Sequence, residues 1–392
     1  MNNEEKLLSL IIQRLIYTNK KEEIRSCLSK DIICWEDFKK LILYHDLAPF
    51  AYRALKDFGS FLPHYEIDFL KSEYFASSFR TDFLWSQFIQ IYDIFLYNSI
   101  TCVPLKGISF IYDIYQNEDA RPMVDIDILI REENIDKATD ILRTHGYEQE
   151  LLGCKKEYWK NHYHITFSKN REEYSLFVEM HWALDYKRNN SHIVSEVWQR
   201  IRCIPLNGKS VTVLSPEDNF LSLALHNRRF GKVLILKNVL DINLLLQKYA
   251  AQFDWEYVLR ISRKYDMRTT VFFALYVASF FSEKNIPIYI WKALAIPSWK
   301  RSMIHRFASH NIFDPNIISR IKQLFLKSHF ILYDNICDPV RYILTIPQEQ
   351  FAKFYNFKPY DKKTEFLYKN RLLYIPWNAF FSALSTKLQG DR

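Results

Sequence analysis

Read from its N-terminus, the chain repeats apolar residues at helical spacing, changes to strand-like alternation in the middle, then returns to helical spacing. Leu7, Leu8, Ile11, Ile12 and Leu15 form the first stripe. Phe38, Leu41, Ile42, Ala48 and Ala51 belong to a second helical pair, interrupted near Pro49. Phe83, Leu84, Phe88, Ile91, Ile94 and Phe95 predict a longer helix over Ser77 to Asn98. Residues 1–99 are therefore predicted to be a helical region without a chemical motif, a lid or wall for the central segment. On the far side, Leu214-Ser215-Pro216-Glu217-Asp218 announces a helix: Ser215 caps it, Pro216 suits its first position and the two acids complement its dipole. Leu221, Ala224 and Leu225 start one stripe and Leu236, Val239, Leu240, Leu244 and Leu245 make another. Breaks are expected over Pro287 to Pro297 and at Pro339, Pro347, Pro359 and Pro376, so residues 215–392 form a larger C-terminal helical domain.

The middle, residues 100–214, mixes strands and helices. An apolar run from Ile100 to Leu105, broken by Thr101, ends in a Lys106-Gly107 turn; a helix-like segment and Arg121 come next, then the alternating run VDIDILI. Alternation points Asp125 and Asp127 to one face and Val124, Ile126 and Ile128 into a core. Two adjacent carboxylates repel each other unless a cation neutralises them, and oxygen-only ligands suit magnesium; a solvated strand face carries the same pattern. Asn134 to His145 predicts a short helix ended by Gly146 at a left-handed C-cap. Tyr163 to Ser168 and Tyr174 to Trp182 are strand-like and joined by Asn170-Arg171-Glu172-Glu173. Pairing Lys169 with Tyr174 sets His164 opposite Glu179 and His162 opposite His181, a register that one slip overturns. Phe177, Glu179 and His181 share one face of the second strand; Leu176, Val178 and Met180 share the other.

Composition adds bounds. Of 392 residues, 48% are hydrophobic and 25% charged, which is globular; 30 Phe and 25 Tyr against 7 Gly favour aromatic-rich helical layers. The net charge of +8 is dispersed over short pairs such as Lys39-Lys40 and Arg228-Arg229, so a nucleic-acid groove lacks a basic run to support it. Six scattered cysteines form no C-x-x-C pair, in keeping with a reduced setting. Acids in MNNEEKLLSLII stand where a secretory signal needs positive charge, and the longest apolar run, Val271 to Phe281, is too short for a membrane span. A cytoplasmic protein without a membrane partner is expected.

The stretch PLKG, Arg121 and DIDILI, continued by the A..IL...GY pattern, resembles a bacterial family of uncharacterised nucleotidyltransferases within the DNA polymerase beta-type superfamily. The resemblance covers about Val103 to His181 and continues more weakly beyond Ser215. It departs from the superfamily in having Lys106-Gly107 where Gly-Ser is usual and a longer separation between turn and Asp-x-Asp. The resemblance implies an α+β fold: a small mixed sheet flanked by helices, with N-terminal and C-terminal helical regions. It implies transfer of a nucleoside monophosphate from an NTP to an unknown acceptor, a small molecule, protein or RNA, with release of pyrophosphate. Asp125, Asp127 and Glu179 would hold two Mg2+ ions for in-line transfer, and Glu179 would help accept the acceptor's proton. Lys106, Gly107, Ser109 and Arg121 would contact the phosphates. Each has a plainer reading: Glu179 as a solvent-facing strand residue, Ser109 as a helix N-terminal residue, Arg121 as a salt bridge orienting the Asp-bearing strand. His226 and Asp241 would meet across two helices, closing the site or forming a structural pair.

Two other classes stay open. A catalytically silent member would bind a nucleotide or protein partner in the same cleft. His162, His164 and His181 with Glu179 could bind zinc instead, although no compact motif backs that set.

Overall fold

A computed structural model of the protein describes residues 1–17, 19–115, 121–150, 162–171, 174–185, 193–229, 233–282, 286–314, 331–335 and 337–378. The N-terminal helices are α1 (Asn3–Tyr17), α2 (Lys21–Lys30), α3 (Trp35–Tyr44), α4 (Ala48–Leu55) and α5 (His64–Tyr97). The interruption expected near Pro49 falls at residues 45–47, between α3 and α4, and Pro49 itself is helical. It sits in the first turn of α4, where its missing N–H costs nothing. Helix α5 begins at His64, well before the expected Ser77, and runs for 34 residues. Its early half carries exposed Tyr65, Phe75 and Phe79, which hide its start from a reading based on apolar periodicity.

The central sheet has order β1-β2-β5-β4-β3, from β1 (Val103–Pro104), β2 (Asp125–Leu129), β3 (Glu148–Gln149), β4 (His164–Arg171) and β5 (Tyr174–His181). The β2–β5 pair is parallel and the others antiparallel. This is the mixed α+β arrangement expected. Helix α6 (Lys106–Asp113) follows β1, and α7 (Ile135–Thr144) follows β2, its exit made by Gly146 at φ +81°. The short helix α8 (Ile193–Trp198) precedes a separate hairpin of β6 (Arg202–Leu206) and β7 (Lys209–Val213). Asn207 and Gly208 close it with φ of 45° and 74°, the positive values a two-residue type I′ turn requires.

The two faces of the sheet look into different cores. Ile126, Ile128, Val178, Met180, Ile165 and Phe167 pack with Phe88, Ile91 and Phe95 of α5 and Ala138 and Leu142 of α7. The opposite face carries Asp127 and Glu179, and from it Leu129 joins a larger helical core. That second core unites α1 to α4 with α9 (Pro216–Arg228), α10 (Leu236–Tyr249), α11 (Trp255–Lys264) and α12 (Arg268–Ser279). Ser215 caps α9 as expected, accepting from the Asp218 amide. Val124, expected in a core, is 65% exposed, because the strand begins only at Asp125. Pro376, expected to break the last helices, lies within the helical residues 371–378. Among the described residues, no helix is long and apolar enough to cross a membrane.

Candidate active site

The parallel pairing of β2 with β5 sets Asp127 directly across from Glu179, so both carboxylates rise from the same face. The hairpin of β4 and β5 has a different register from the expected one. His164 pairs with His181 and Thr166 with Glu179. Strand β4 continues to Arg171, and Ser175 Oγ donates to Asn170 Oδ1 at 2.8 Å, so pairing extends two residues nearer the turn. The predicted loop residues Glu172 and Glu173 lie outside the described residues. A shift of two keeps every side chain on its face, so His164 and His181 still share a face with Glu179.

Asp127 is nearly closed off from solvent, and two donors converge on one of its oxygens. Lys106 Nζ stands 3.0 Å and His181 Nε2 2.8 Å from Oδ1. His181 Nε2 also lies 3.4 Å from Glu179 Oε2. Burial alone would push the Asp127 carboxyl up, but the ammonium of Lys106 and the hydrogen bond from His181 hold it well below the usual carboxylate range. Burial raises Glu179 as well, and the hydrogen bond from His181 brings it down to about 2 against the repulsion of Asp127. A carboxylate held this low accepts cations and hydrogen bonds, not a proton, at neutral pH. Burial pushes His164 down to about 3, leaving an uncharged ring stacked on His181 at 5.0 Å.

Ligand atoms of Asp127, Glu179 and His181 lie within 4.8 Å of one another, a group able to hold a cation. Asp125, half-exposed at the start of β2, stands outside it. His162 and His164, the other members of the zinc set, also stand outside it. His181 itself is arranged as a donor. A metal on Nε2 would move its hydrogen to Nδ1, which is buried and has no partner. Histidines that bind metals usually give that second N–H to an acceptor. Carboxylate oxygens are therefore the natural ligands here, and they suit a hard cation such as magnesium.

The Lys106-Gly107 step enters α6 beside these acids. Leu105 N donates to Asp127 O at 2.9 Å, extending the β1–β2 ladder to the helix start. Lys106 takes a left-handed φ of 48°. A Cβ on Gly107 would lie 2.9 Å from Arg121 Nη1 and 3.0 Å from Met123 Sδ, so glycine makes room for the arginine beneath the turn. Arg121 is an internal brace. Its Nε and Nη2 donate to Asp241 Oδ1 and Oδ2 at 2.9 and 2.6 Å, and Tyr115 donates to Oδ1 at 2.6 Å. Ser109, expected at a phosphate, is fully buried with an unpartnered hydroxyl.

Asp241 is thus brought to Arg121 and Tyr115, and not to His226 as expected. His226 Nδ1 instead lies 3.3 Å from Arg229 Nη1. The Arg229 guanidinium sits 4.3 Å over the Tyr163 ring, which in turn lies 5.5 Å from the His181 ring. The residue that ends α9 therefore reaches the Tyr163 side of His181. Its neighbour Arg228 is buried against Asp185 at 2.7 Å.

Residues 32–282 match the family model described as "Uncharacterised nucleotidyltransferase". The chain belongs to this nucleotidyltransferase family. No curated protein and no solved structure matches it. The family span takes in the whole carboxylate group, the Lys106-Gly107 step and the Arg121–Asp241 brace. Sequence reading missed two contacts inside it, Lys106 with Asp127 and His181 with Asp127. For His181 a signal existed, since E-M-H places it on Glu179's face; for Lys106 none did, because the contact depends on how β1 meets β2.

Proposed function

We propose that the protein is a magnesium-dependent nucleotidyltransferase that moves a nucleoside monophosphate from an NTP to an acceptor hydroxyl. The observation carrying this reading is the pair of ionised carboxylates, Asp127 and Glu179, facing each other across parallel strands beside the N-terminus of α6. Asp127 and Glu179 would hold the cation, joined by Asp125 from the open end of β2. Magnesium there would neutralise triphosphate oxygens and acidify the acceptor hydroxyl. Lys106 and the free N–H groups at the start of α6 would orient the triphosphate, since a helix N-terminus favours anions. His181 would keep Asp127 aimed by its hydrogen bond. The acceptor oxygen bonds to the α-phosphorus, the bond from phosphorus to pyrophosphate breaks, and the hydroxyl proton passes to water. Glu179 acts as a ligand in this scheme and not as the proton acceptor.

The test is thermal stabilisation by ATP, GTP, CTP and UTP, with and without magnesium, on wild type and a folded Asp125→Asn/Asp127→Asn variant. A nucleotide at 100 times its dissociation constant stabilises by about 2.7 kcal/mol. A magnesium-dependent shift that the variant loses is expected, and the best nucleotide then goes into an acceptor screen read by pyrophosphate release. Failure of every NTP at millimolar concentration would overturn the proposal.

A further inference from the structure

Lys106 occupies an unusual position for a residue meant only to meet a phosphate. Its ammonium lies 3.0 Å from Oδ1 of Asp127, a carboxylate offered to the cation, and only 14% of its side chain is exposed. Its backbone is left-handed, a conformation that residues with a Cβ rarely adopt. The next residue, Gly107, sits close over Arg121, which both oxygens of Asp241 hold from behind. The turn is therefore braced on its rear side and aims one flexible, four-carbon cation at the carboxylates.

We infer that Lys106 is a built-in counter-ion. It fills the cation position while nucleotide is absent and transfers to the triphosphate when metal and nucleotide enter together. This rests on the proposed function above. The reasoning is one of charge. A dication arriving alone meets an ammonium already on Asp127 Oδ1, and the two repel. His181 shares Asp127 Oδ1 with the ammonium and also reaches Glu179, so both carboxylates already have a donor. A triphosphate supplies new acceptors, so Lys106 can leave Asp127 without losing its partner. Metal and nucleotide thus strengthen each other's binding, and linkage makes that coupling reciprocal. The device keeps the carboxylate pair aligned and discourages occupation by free metal.

The experiment compares wild type, Lys106→Met and Lys106→Arg in two binding measurements. Mn2+ alone is titrated by the loss of its free-ion EPR signal. The nucleotide that stabilises wild type best is titrated with magnesium, using its fluorescent analogue. Lys106→Met should bind Mn2+ alone about tenfold more tightly, within the usual 5- to 150-fold range of such couplings. The same variant should bind the magnesium nucleotide more weakly, and Lys106→Arg should stay near wild type for Mn2+. A lysine that merely supported the fold would weaken both. Unchanged or weaker Mn2+ binding by folded Lys106→Met overturns the inference. Tighter Mn2+ binding with no nucleotide bound by wild type instead removes the nucleotidyltransferase reading and the transfer step, leaving the counter-ion. Should Lys106→Met fail to fold, acetylation of wild-type lysines read by mass spectrometry carries the test. Lys106 must react slowly alone, faster with Mn2+ and slowly again with Mn2+ and nucleotide; constant reactivity overturns the inference.

Discussion

Replacing Asp241 by alanine asks whether Arg121 is a brace or a free phosphate ligand. Asp241 is fully buried, and it accepts from Arg121 Nε, Arg121 Nη2 and Tyr115 Oη at 2.6 to 2.9 Å. The variant leaves a guanidinium that is 4% exposed without its counter-charge. Stranding a buried charge in this way costs about 3–5 kcal/mol. The lost Tyr115 hydrogen bond adds about 1 kcal/mol. Arg121→Met creates the mirror defect, a buried carboxylate left with one phenol. The double variant Arg121→Met/Asp241→Leu removes both charges, so its cost should fall well below the sum of the singles. Urea unfolding, monitored by tryptophan fluorescence and far-UV circular dichroism, measures each step, provided the two probes coincide. Additivity within about 0.5 kcal/mol would refute the reasoning. It would mean that Arg121 draws its stability from elsewhere and is available to a ligand.

Other consequences are open to simpler measurements. Gly107→Ala places a Cβ 2.9 Å from the clamped guanidinium and should cost about 1–3 kcal/mol in urea unfolding, less in the Arg121→Met background; equal costs in both would refute the packing role. His45 is buried, with Nδ1 accepting from Leu236 N and Nε2 facing Phe313 O, and burial lowers it from 6.5 to about 4. The folded protein therefore resists a proton that the unfolded chain accepts: the stability is complete above pH 6.5 and falls by about 3 kcal/mol as the pH drops to 4. His45→Gln should flatten that part of the stability curve, and an unchanged slope would exclude His45 as its source. Asp334 accepts from the Arg268 and Thr269 amides at 2.8 and 2.7 Å, capping α12 from a distant loop. Asp334→Ala should cost about 0.5–2 kcal/mol, seen as a lower denaturation midpoint.

Much of this protein was written locally. The helical stripes around Leu7 and Leu236, the Ser215 cap, the Gly146 exit and the common face of Glu179 and His181 arise from periods of 3.6 and 2 and from residue-specific turn chemistry. Asn207-Gly208 carried an equally local hairpin signal. The resemblance around PLKG and DIDILI pointed to the right family and to the strand that bears the acids.

The assembly of the site was decided by tertiary structure. Asp127 meets His181 across 54 residues and Arg121 meets Asp241 across 120, distances over which periodicity carries no information. Strand register put Thr166, and not His164, opposite Glu179, and a two-residue shift was invisible beforehand because it leaves every face unchanged. Arg121 could serve a phosphate or a carboxylate equally well by its chemistry. Burial beside Asp241 decided for the carboxylate, since a charge removed from water needs a fixed partner. The sequence by itself determined which side chains share a face; the packing of strands and helices determined which of them share a charge.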